Sequence, residues 1–189
     1  MVTRTPVCLR SAARRLRGWA SILLAALAGS GSLHAEISRE YQLKAAFLFN
    51  FTKFVEWPAR RFADERSPIL IGVVGENPIG AALADLVTGR LVNGRPIAVA
   101  YPKNTGEMQR VHLLFVARGE EDRLTELQSS GTTVVLTVGE SDRFAELGGM
   151  INFVVADEKV RFEVNLATAE KHGIKISAQL VKLAARVRR

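Results

Sequence analysis

The chain has 189 residues, of which 48% are hydrophobic, and a formal net charge of +7. This length is enough for one domain with a substantial hydrophobic core. Residues 1–35 hold five arginines and no acidic residue, so 21 basic residues face 19 acidic ones in the remainder, a balance of +2. The folded part therefore lacks the concentrated positive charge of a nucleic-acid-binding surface, and we expect no nucleic acid among its partners.

The first 35 residues follow the three-part pattern of a secretory signal peptide. A basic segment ends at Arg17, an apolar run extends from Trp19 to Ala28, and a short small and polar stretch leads to Ala35. The apolar run is shorter than the ~20 residues that a permanent membrane span needs. We therefore expect cleavage after Ala35, export to the periplasm, and one mature domain of residues 36–189.

Export makes the cysteine content informative. Cys8 is the only cysteine, and it lies within the expected signal peptide. The mature domain can therefore hold no disulfide and no thiolate metal site. A domain of ~150 residues can bury enough apolar surface to fold without either.

The densest aromatic segment runs from Tyr41 to Pro58 and predicts an amphipathic helix, ended by the proline. Steps of about 100° per residue place Phe49 on its polar side, together with Gln42, Lys53 and Glu56. The predicted apolar face consists of Leu43, Phe47, Phe51, Phe54 and Trp57.

An aromatic on a hydrated helix side suggests a surface that binds a partner, because aromatic residues dominate the binding energy of protein interfaces. The simpler alternative is a core helix with a stray exposed phenylalanine. The candidate partner-binding residues are Phe49, Lys53, Glu56, Trp57 and Pro58.

The remaining pattern predicts an α/β domain. Apolar runs at 69–75, 93–102, 111–117 and 132–139 read as strands, and the segments 79–87 and 122–130 read as helices. Buried strands with helical crossovers favour a mainly parallel sheet flanked by helices. Residues 150–165 then alternate as a C-terminal β-hairpin, and residues 177–187 form a terminal amphipathic helix capped by Ser177.

No catalytic constellation stands out. His112 sits in an apolar strand and His172 near a helix end, so neither belongs to a zinc motif or a triad, and we expect no metal and no cofactor. The turn from Gly72 to Pro78 lacks the further glycine of a dinucleotide fingerprint and the lysine of a P-loop. A polar ligand site remains an alternative to a purely structural role, and its candidate residues are Asn77, Arg161, Glu163, Asn165 and Lys175.

Several segments resemble one known family in order and spacing. They are YQLKAAFLFNFTKFVEWP at 41–58, VHLLFVA at 111–117, VLTVGE at 135–140, FAELGGMINFVV at 144–155 and VRFEVNLATAEKHGIKISAQLVKLA at 160–184. Together they are similar to the YfiR-like proteins from about Tyr41 to Ala185.

This resemblance implies a non-enzymatic periplasmic regulator. The best-known members bind the periplasmic domain of an inner-membrane diguanylate cyclase and hold it inactive, and an outer-membrane lipoprotein can sequester the regulator. The resemblance therefore implies control of cyclic-di-GMP and biofilm. A second copy of the chain is a further possible partner, and a periplasmic small-ligand binding module is the alternative function.

One position departs from the family pattern. Well-known members carry a cysteine just before the histidine of the third strand, where this chain has Val111. Any redox sensing or disulfide-dependent stability of the family should therefore not be transferred to this protein.

Overall fold

The computed structural model describes residues 39–76, 78–131 and 134–189. The expected signal peptide and Asn77 lie outside these residues, so cleavage after Ala35 and a ligand role for Asn77 stay predictions. Residues 40–189 form one compact unit.

The described strands and helices follow one another in an α/β order. The strands are β1 (Val55–Glu56), β2 (Ile69–Val74), β3 (Leu91–Val92), β4 (Arg95–Ala100), β5 (Leu113–Val116), β6 (Leu136–Gly139), β7 (Ile151–Ala156), β8 (Lys159–Asn165), β9 (Lys175–Ile176) and β10 (Arg186–Arg188). The helices are α1 (residues 39–51), α2 (Ile79–Val87), α3 (Thr105–Met108), α4 (Glu121–Ser129), α5 (Leu166–Lys171) and α6 (Ala178–Leu183), with a 3-10 turn at Ala59–Arg61.

An eight-stranded mixed sheet organises the described chain, in the order β10-β8-β7-β6-β5-β2-β4-β3. The strands β4, β2, β5, β6 and β7 run parallel to one another. Antiparallel pairing joins β7 to β8 and β3 to β4. The predicted class, a mainly parallel sheet flanked by helices with a C-terminal hairpin, is confirmed.

Hydrophobic side chains cover both faces of the sheet. Ile71 and Phe115 point into a large core with α1, α2, α5 and α6. Leu114 points into a second core with α3 and α4 on the opposite face. Because successive side chains of a strand alternate between faces, central strands buried on both sides must be apolar throughout, as the sequence shows.

Two-residue turns close both hairpins. Asn93 and Gly94 join β3 to β4 with φ values of 52° and 79°, and Asp157 and Glu158 join β7 to β8 with φ values of 52° and 58°. Two consecutive left-handed residues give the turn a twist that matches the flanking strands.

The first helix is shorter than predicted. It ends at residue 51, and the chain is extended by Val55, where β1 pairs antiparallel with β9. The amides of Lys53 and Phe54 bond to carbonyls three residues earlier, which tightens the last turn, and the Ser177 amide then binds the Phe54 carbonyl at 2.9 Å. The pairing of β1 with β9, which is distant in the sequence, therefore ends the helix before Pro58 is reached.

The terminal helix is also shorter than predicted. It keeps its Ser177 cap, whose hydroxyl accepts a hydrogen bond from the Leu180 amide at 3.3 Å, but ends at Leu183. Arg186–Arg188 then forms β10 parallel to β8. The edge of β8 offers unpaired backbone groups, and the Ala185 amide already bonds to the Phe162 carbonyl at 2.8 Å. Pairing with that edge therefore stabilises this segment more than one further helical turn would.

Candidate functional site

The predicted exposure of Phe49 is wrong. Phe49 is only 5% exposed and belongs to the large core, whereas Leu43, predicted to be buried, is 45% exposed. Phe51 is fully buried and Phe47 is half-buried, with its ring 6.0 Å from that of Phe51. The buried stripe is therefore rotated by about a third of a turn from the predicted one. It consists of Lys44, Ala45, Leu48, Phe49, Phe51 and Thr52.

Two buried polar side chains explain this rotation. Lys44 is buried and donates to Glu140 at 2.7 Å, and it also pairs with Glu40 at 2.5 Å. The Thr52 hydroxyl donates to the Phe49 carbonyl at 2.6 Å. Each polar group is satisfied inside the protein, so the helix can turn this side inward without leaving an unpaired donor.

The sequence pattern did not identify Lys44 as a candidate functional residue. Burial lowers the pKa of Lys44, but hydrogen bonds and charge from Glu140 and Glu40 outweigh it and hold the pKa above its usual 10.5. The ammonium also lies 5.1 Å from the centre of the Tyr41 ring. Removing one partner of a buried ion pair typically costs roughly 3–5 kcal/mol, so this pair fixes α1 to the end of β6.

Cations cover Phe49 at the surface. The Lys53 ammonium lies 4.2 Å above its ring and the Arg90 guanidinium 5.2 Å away. Lys53 also donates to the Asn50 side chain at 3.0 Å. A partner that approached here would meet these positive side chains rather than the aromatic ring.

Glu56 and Lys175 were predicted in different sites, and the structure places them opposite each other. Glu56 lies in β1 and Lys175 in β9, in directly paired register, and both side chains are exposed. The small β1–β9 sheet therefore carries one charge of each sign beside the end of α1. We call this part of the surface the connector surface. It consists of four residues that lie close together in the sequence, Lys53, Glu56, Trp57 and Pro58.

Trp57 is held firmly at this surface. It is half-buried, and its indole N–H donates to the His112 carbonyl at 3.3 Å. Arg61 follows in the 3-10 turn and donates to the Gln109 carbonyl at 2.9 Å and the Val111 carbonyl at 2.6 Å. The segment that follows β1 is thus tied to the chain that enters β5.

His112 lies inside an aromatic and cationic stack. Its ring is stacked on Phe62 with centres 4.5 Å apart and meets the Trp57 ring edge-on at 5.8 Å. The Arg95 guanidinium lies over the Phe62 ring, 3.9 Å from its centre. His112 is 3% exposed, as expected from the apolar segment in which it lies.

The charge state of His112 follows from this environment. Burial, followed by the charges of Arg61 and Arg95, lowers the pKa of His112 to about 4. The neutral ring accepts a hydrogen bond from the Leu70 amide at its Nδ1 atom, at 3.1 Å. A neutral imidazole is required there, because a protonated Nδ1 has no lone pair to accept this bond.

The candidate ligand residues do not share one environment. Arg161 is exposed and 3.9 Å from Asp157, while Glu163 pairs with Arg186 at 3.3 Å. Asn165 instead caps α5, where its side chain accepts a hydrogen bond from the Thr168 amide at 3.1 Å.

Lys175 belongs to the other sheet and lines a cavity of about 320 Å³. Leu166, Ile174 and Ile176 supply apolar walls, and Glu170 adds an acidic group. A ligand role for Arg161, Glu163, Asn165 and Lys175 stays a prediction, but they would not act as one set.

Neither a metal-binding cluster nor a membrane-crossing helix occurs in the described ranges. No group of three or more His, Cys, Asp or Glu side chains there could hold a metal ion. None of the helices in this part of the chain combines the length and apolar character of a membrane-crossing segment.

Solved structures share limited similarity with this chain. A conserved domain protein from Vibrio cholerae is 12% identical over 64% of this chain and 55% of that one, with a TM-score of 0.44. The ABC domain of a Streptococcus pneumoniae protein in complex with L-Trp is 13% identical over 62% of this chain and 54% of that one, with a TM-score of 0.43. This chain thus spans about half the length of those chains. No curated protein matches it.

The family comparison is more extensive. A family model described as YfiR/HmsC-like matches residues 41–185, which include every described strand except β10. The match covers well over half of the chain and agrees with the ordered segments from the aromatic helix to α6. The protein therefore belongs to the YfiR/HmsC-like family.

Proposed function

We propose that this protein is a periplasmic regulator that binds the periplasmic domain of an inner-membrane diguanylate cyclase and represses it. Repression lowers cyclic-di-GMP and so limits biofilm formation. Family membership over residues 41–185 is the observation that carries this proposal. An outer-membrane lipoprotein that sequesters the regulator would release the cyclase.

The connector surface is our candidate for the contact with the cyclase. It combines an aromatic side chain, the half-buried Trp57, with the exposed charges of Lys53 and Glu56. Interfaces commonly place an aromatic anchor inside a charged or polar rim. The hydrogen bond from Trp57 to the His112 carbonyl holds the anchor before binding, which reduces the entropy lost on association.

Deletion and complementation test the function and the surface separately. Deleting the gene should raise cellular cyclic-di-GMP, and expression of the wild-type protein should restore the low level. Lys53→Glu reverses an exposed charge of the connector surface and should restore it only weakly. Arg110→Glu reverses an exposed charge beside α3 and serves as the matched control, with full restoration expected.

The outcomes distinguish two failures. Cyclic-di-GMP that stays unchanged after deletion in every growth condition would contradict the cyclase role. Full restoration by Lys53→Glu would remove only the connector surface from the interface. Equal periplasmic amounts of the three proteins must be verified by immunoblotting, since a charge reversal can also alter protein abundance.

A small-ligand binding function is the second candidate, and the cavity beside Lys175 is the observation that favours it. Its size suits a small metabolite, and Lys175 and Glu170 offer opposite charges at an apolar wall. A ligand of this site would raise the melting temperature of the wild-type protein and not of Lys175→Ala.

A further inference from the structure

A polar cavity of about 270 Å³ lies where the end of α4, the turn before β7 and the end of α5 meet. It is separate from the connector surface and from the cavity beside Lys175. Four side chains that can donate hydrogen bonds and two glycines line it, namely Gln128, Gly131, Gly148, Thr168, Lys171 and His172. No aspartate or glutamate is among these described lining residues, so the cavity favours an anion over a cation.

Three of the donor side chains come from one side of α5. Thr168, Lys171 and His172 follow the i, i+3, i+4 spacing that places helix residues next to one another. The helix begins at the Asn165 cap, and Gly173, with a φ value of 70°, follows directly after His172. The local sequence thus sets both ends of the segment that presents these groups.

Gln128 supplies the opposite wall of the cavity. Its side-chain amide donates to the Gly148 carbonyl at 2.8 Å, which joins α4 to the turn before β7. A side chain at Gly148 would place its Cβ atom 2.7 Å from the same amide nitrogen, so this contact requires glycine. The amide group carries two hydrogens, and the second one remains available to a bound molecule.

Several polar groups of the cavity lack a partner within the described part of the chain. The Nδ1 atom of His172 is buried there and makes no hydrogen bond. Lys171 is exposed and forms no ion pair with a described carboxylate, and the Thr168 hydroxyl makes no hydrogen bond to a described residue. Buried polar atoms in proteins are nearly always hydrogen-bonded, so an unpartnered one indicates a group that binds from outside the chain.

The partial negative charge at the end of α5 is too small to exclude an anion. The carbonyls of Thr168, Ala169 and Glu170 already accept hydrogen bonds from the amides of residues 172–174. A helix end carries about half an elementary charge at most, whereas the Lys171 ammonium carries a full one. The balance at this cavity is therefore positive.

We propose that this cavity binds a phosphate group, as inorganic phosphate or as part of a small phosphate ester. Lys171 supplies the charge, and the Thr168 hydroxyl, the Gln128 amide and the His172 ring donate hydrogen bonds from different sides. A tetrahedral phosphate has acceptor oxygens in several directions, whereas a planar carboxylate is matched best by the fork of an arginine, which does not line this cavity. This inference is independent of the proposed regulatory function.

Isothermal titration calorimetry of the purified protein with inorganic phosphate, at constant ionic strength, tests the site. The wild-type protein should bind phosphate, and Lys171→Gln should raise the dissociation constant about tenfold or more, because a charged hydrogen bond is lost. Lys182→Gln is the matched control. It removes an exposed lysine from the last turn of α6, as Lys171→Gln does from α5, and should leave the affinity unchanged.

Thr168→Val keeps the shape of the side chain, removes its hydroxyl and should also weaken phosphate binding. In the wild-type protein, phosphate should shift the nuclear magnetic resonance signals of Thr168, Lys171 and His172, and the amide spectra of the variants verify their folding. A parallel titration with glycerol 3-phosphate distinguishes the sources, because tighter binding identifies an ester and weaker binding the free ion. Absence of phosphate binding would overturn the proposal. Binding that Lys171→Gln or Thr168→Val leaves unchanged, or that Lys182→Gln weakens equally, would overturn it as well.

Discussion

At the scale of single residues, His112 shows how burial decides a charge. The ring is enclosed by Trp57 and Phe62, and the charges that face it, Arg61 and Arg95, are both positive. Protonation would add a third positive charge and would remove the acceptor that binds the Leu70 amide. The folded protein therefore favours the neutral ring, and the pKa falls from 6.5 to about 4.

This shift makes stability depend on pH in a defined window. The unfolded chain binds a proton at His112 near pH 6.5, whereas the folded chain does so only near pH 4. The contribution of the neutral His112 ring to the free energy of unfolding is therefore fully present above pH 6.5. It is lost as the pH falls toward 4 and changes little below that. The full difference is roughly 3 kcal/mol, from about 1.4 kcal/mol for each unit of pKa.

Urea unfolding across this window, compared between the wild type and His112→Asn, measures the effect. The asparagine side chain can still accept from the Leu70 amide but does not titrate. Its stability should decline less steeply than that of the wild type between pH 6.5 and 4. Parallel pH profiles for the two proteins would mean that His112 is protonated as easily in the folded state as in the unfolded one.

At the scale of elements, α1 shows where a helical pattern is informative and where it fails. The aromatic density predicted a helix that packs on the domain, and Phe51 is fully buried. The orientation failed because the pattern treats lysine and threonine as exposed. Lys44 is buried through Glu140, which lies 96 residues away, and no local pattern contains that partner.

Two substitutions on this helix distinguish the predicted face from the observed one. Phe49→Ala should cost roughly 3–5 kcal/mol of unfolding free energy, because it opens a cavity in the large core. Leu43→Ala should cost less than ~1 kcal/mol, because that side chain is 45% exposed. Urea unfolding of both variants gives the two values. If the leucine substitution were the more costly, the observed orientation of α1 would be incorrect.

At the scale of the whole molecule, the sequence was informative about long elements and silent about short ones. Apolar runs and turn residues predict the central strands and the β7–β8 hairpin, because each of these segments shows its burial in its own residue pattern. The two- and three-residue strands β1, β3, β9 and β10 have no such signal. They form because a neighbouring edge offers backbone partners, and the connector surface depends on one such pairing, between β1 and β9.

The absence of cysteine from residues 36–189 makes the whole fold depend on packing. Val111 is 2% exposed and belongs to the second core. Well-known members of the family that this chain resembles carry a cysteine at this position. A buried thiol and a valine both act there as small apolar side chains. The two cores share the central sheet, so we expect the described domain to unfold without any contribution from a disulfide.

Thermal unfolding with and without a reductant tests this dependence on packing. The melting temperature should be the same in both conditions, since Cys8 alone cannot form a bond within one chain. A native disulfide in a small exported domain typically contributes about 2–5 kcal/mol, so its reduction would lower the melting temperature by several degrees. A non-reducing gel run in parallel detects any Cys8-linked dimer of unprocessed protein. A clear fall in melting temperature in samples without such a dimer would show that something other than the packing of the two cores stabilises this domain.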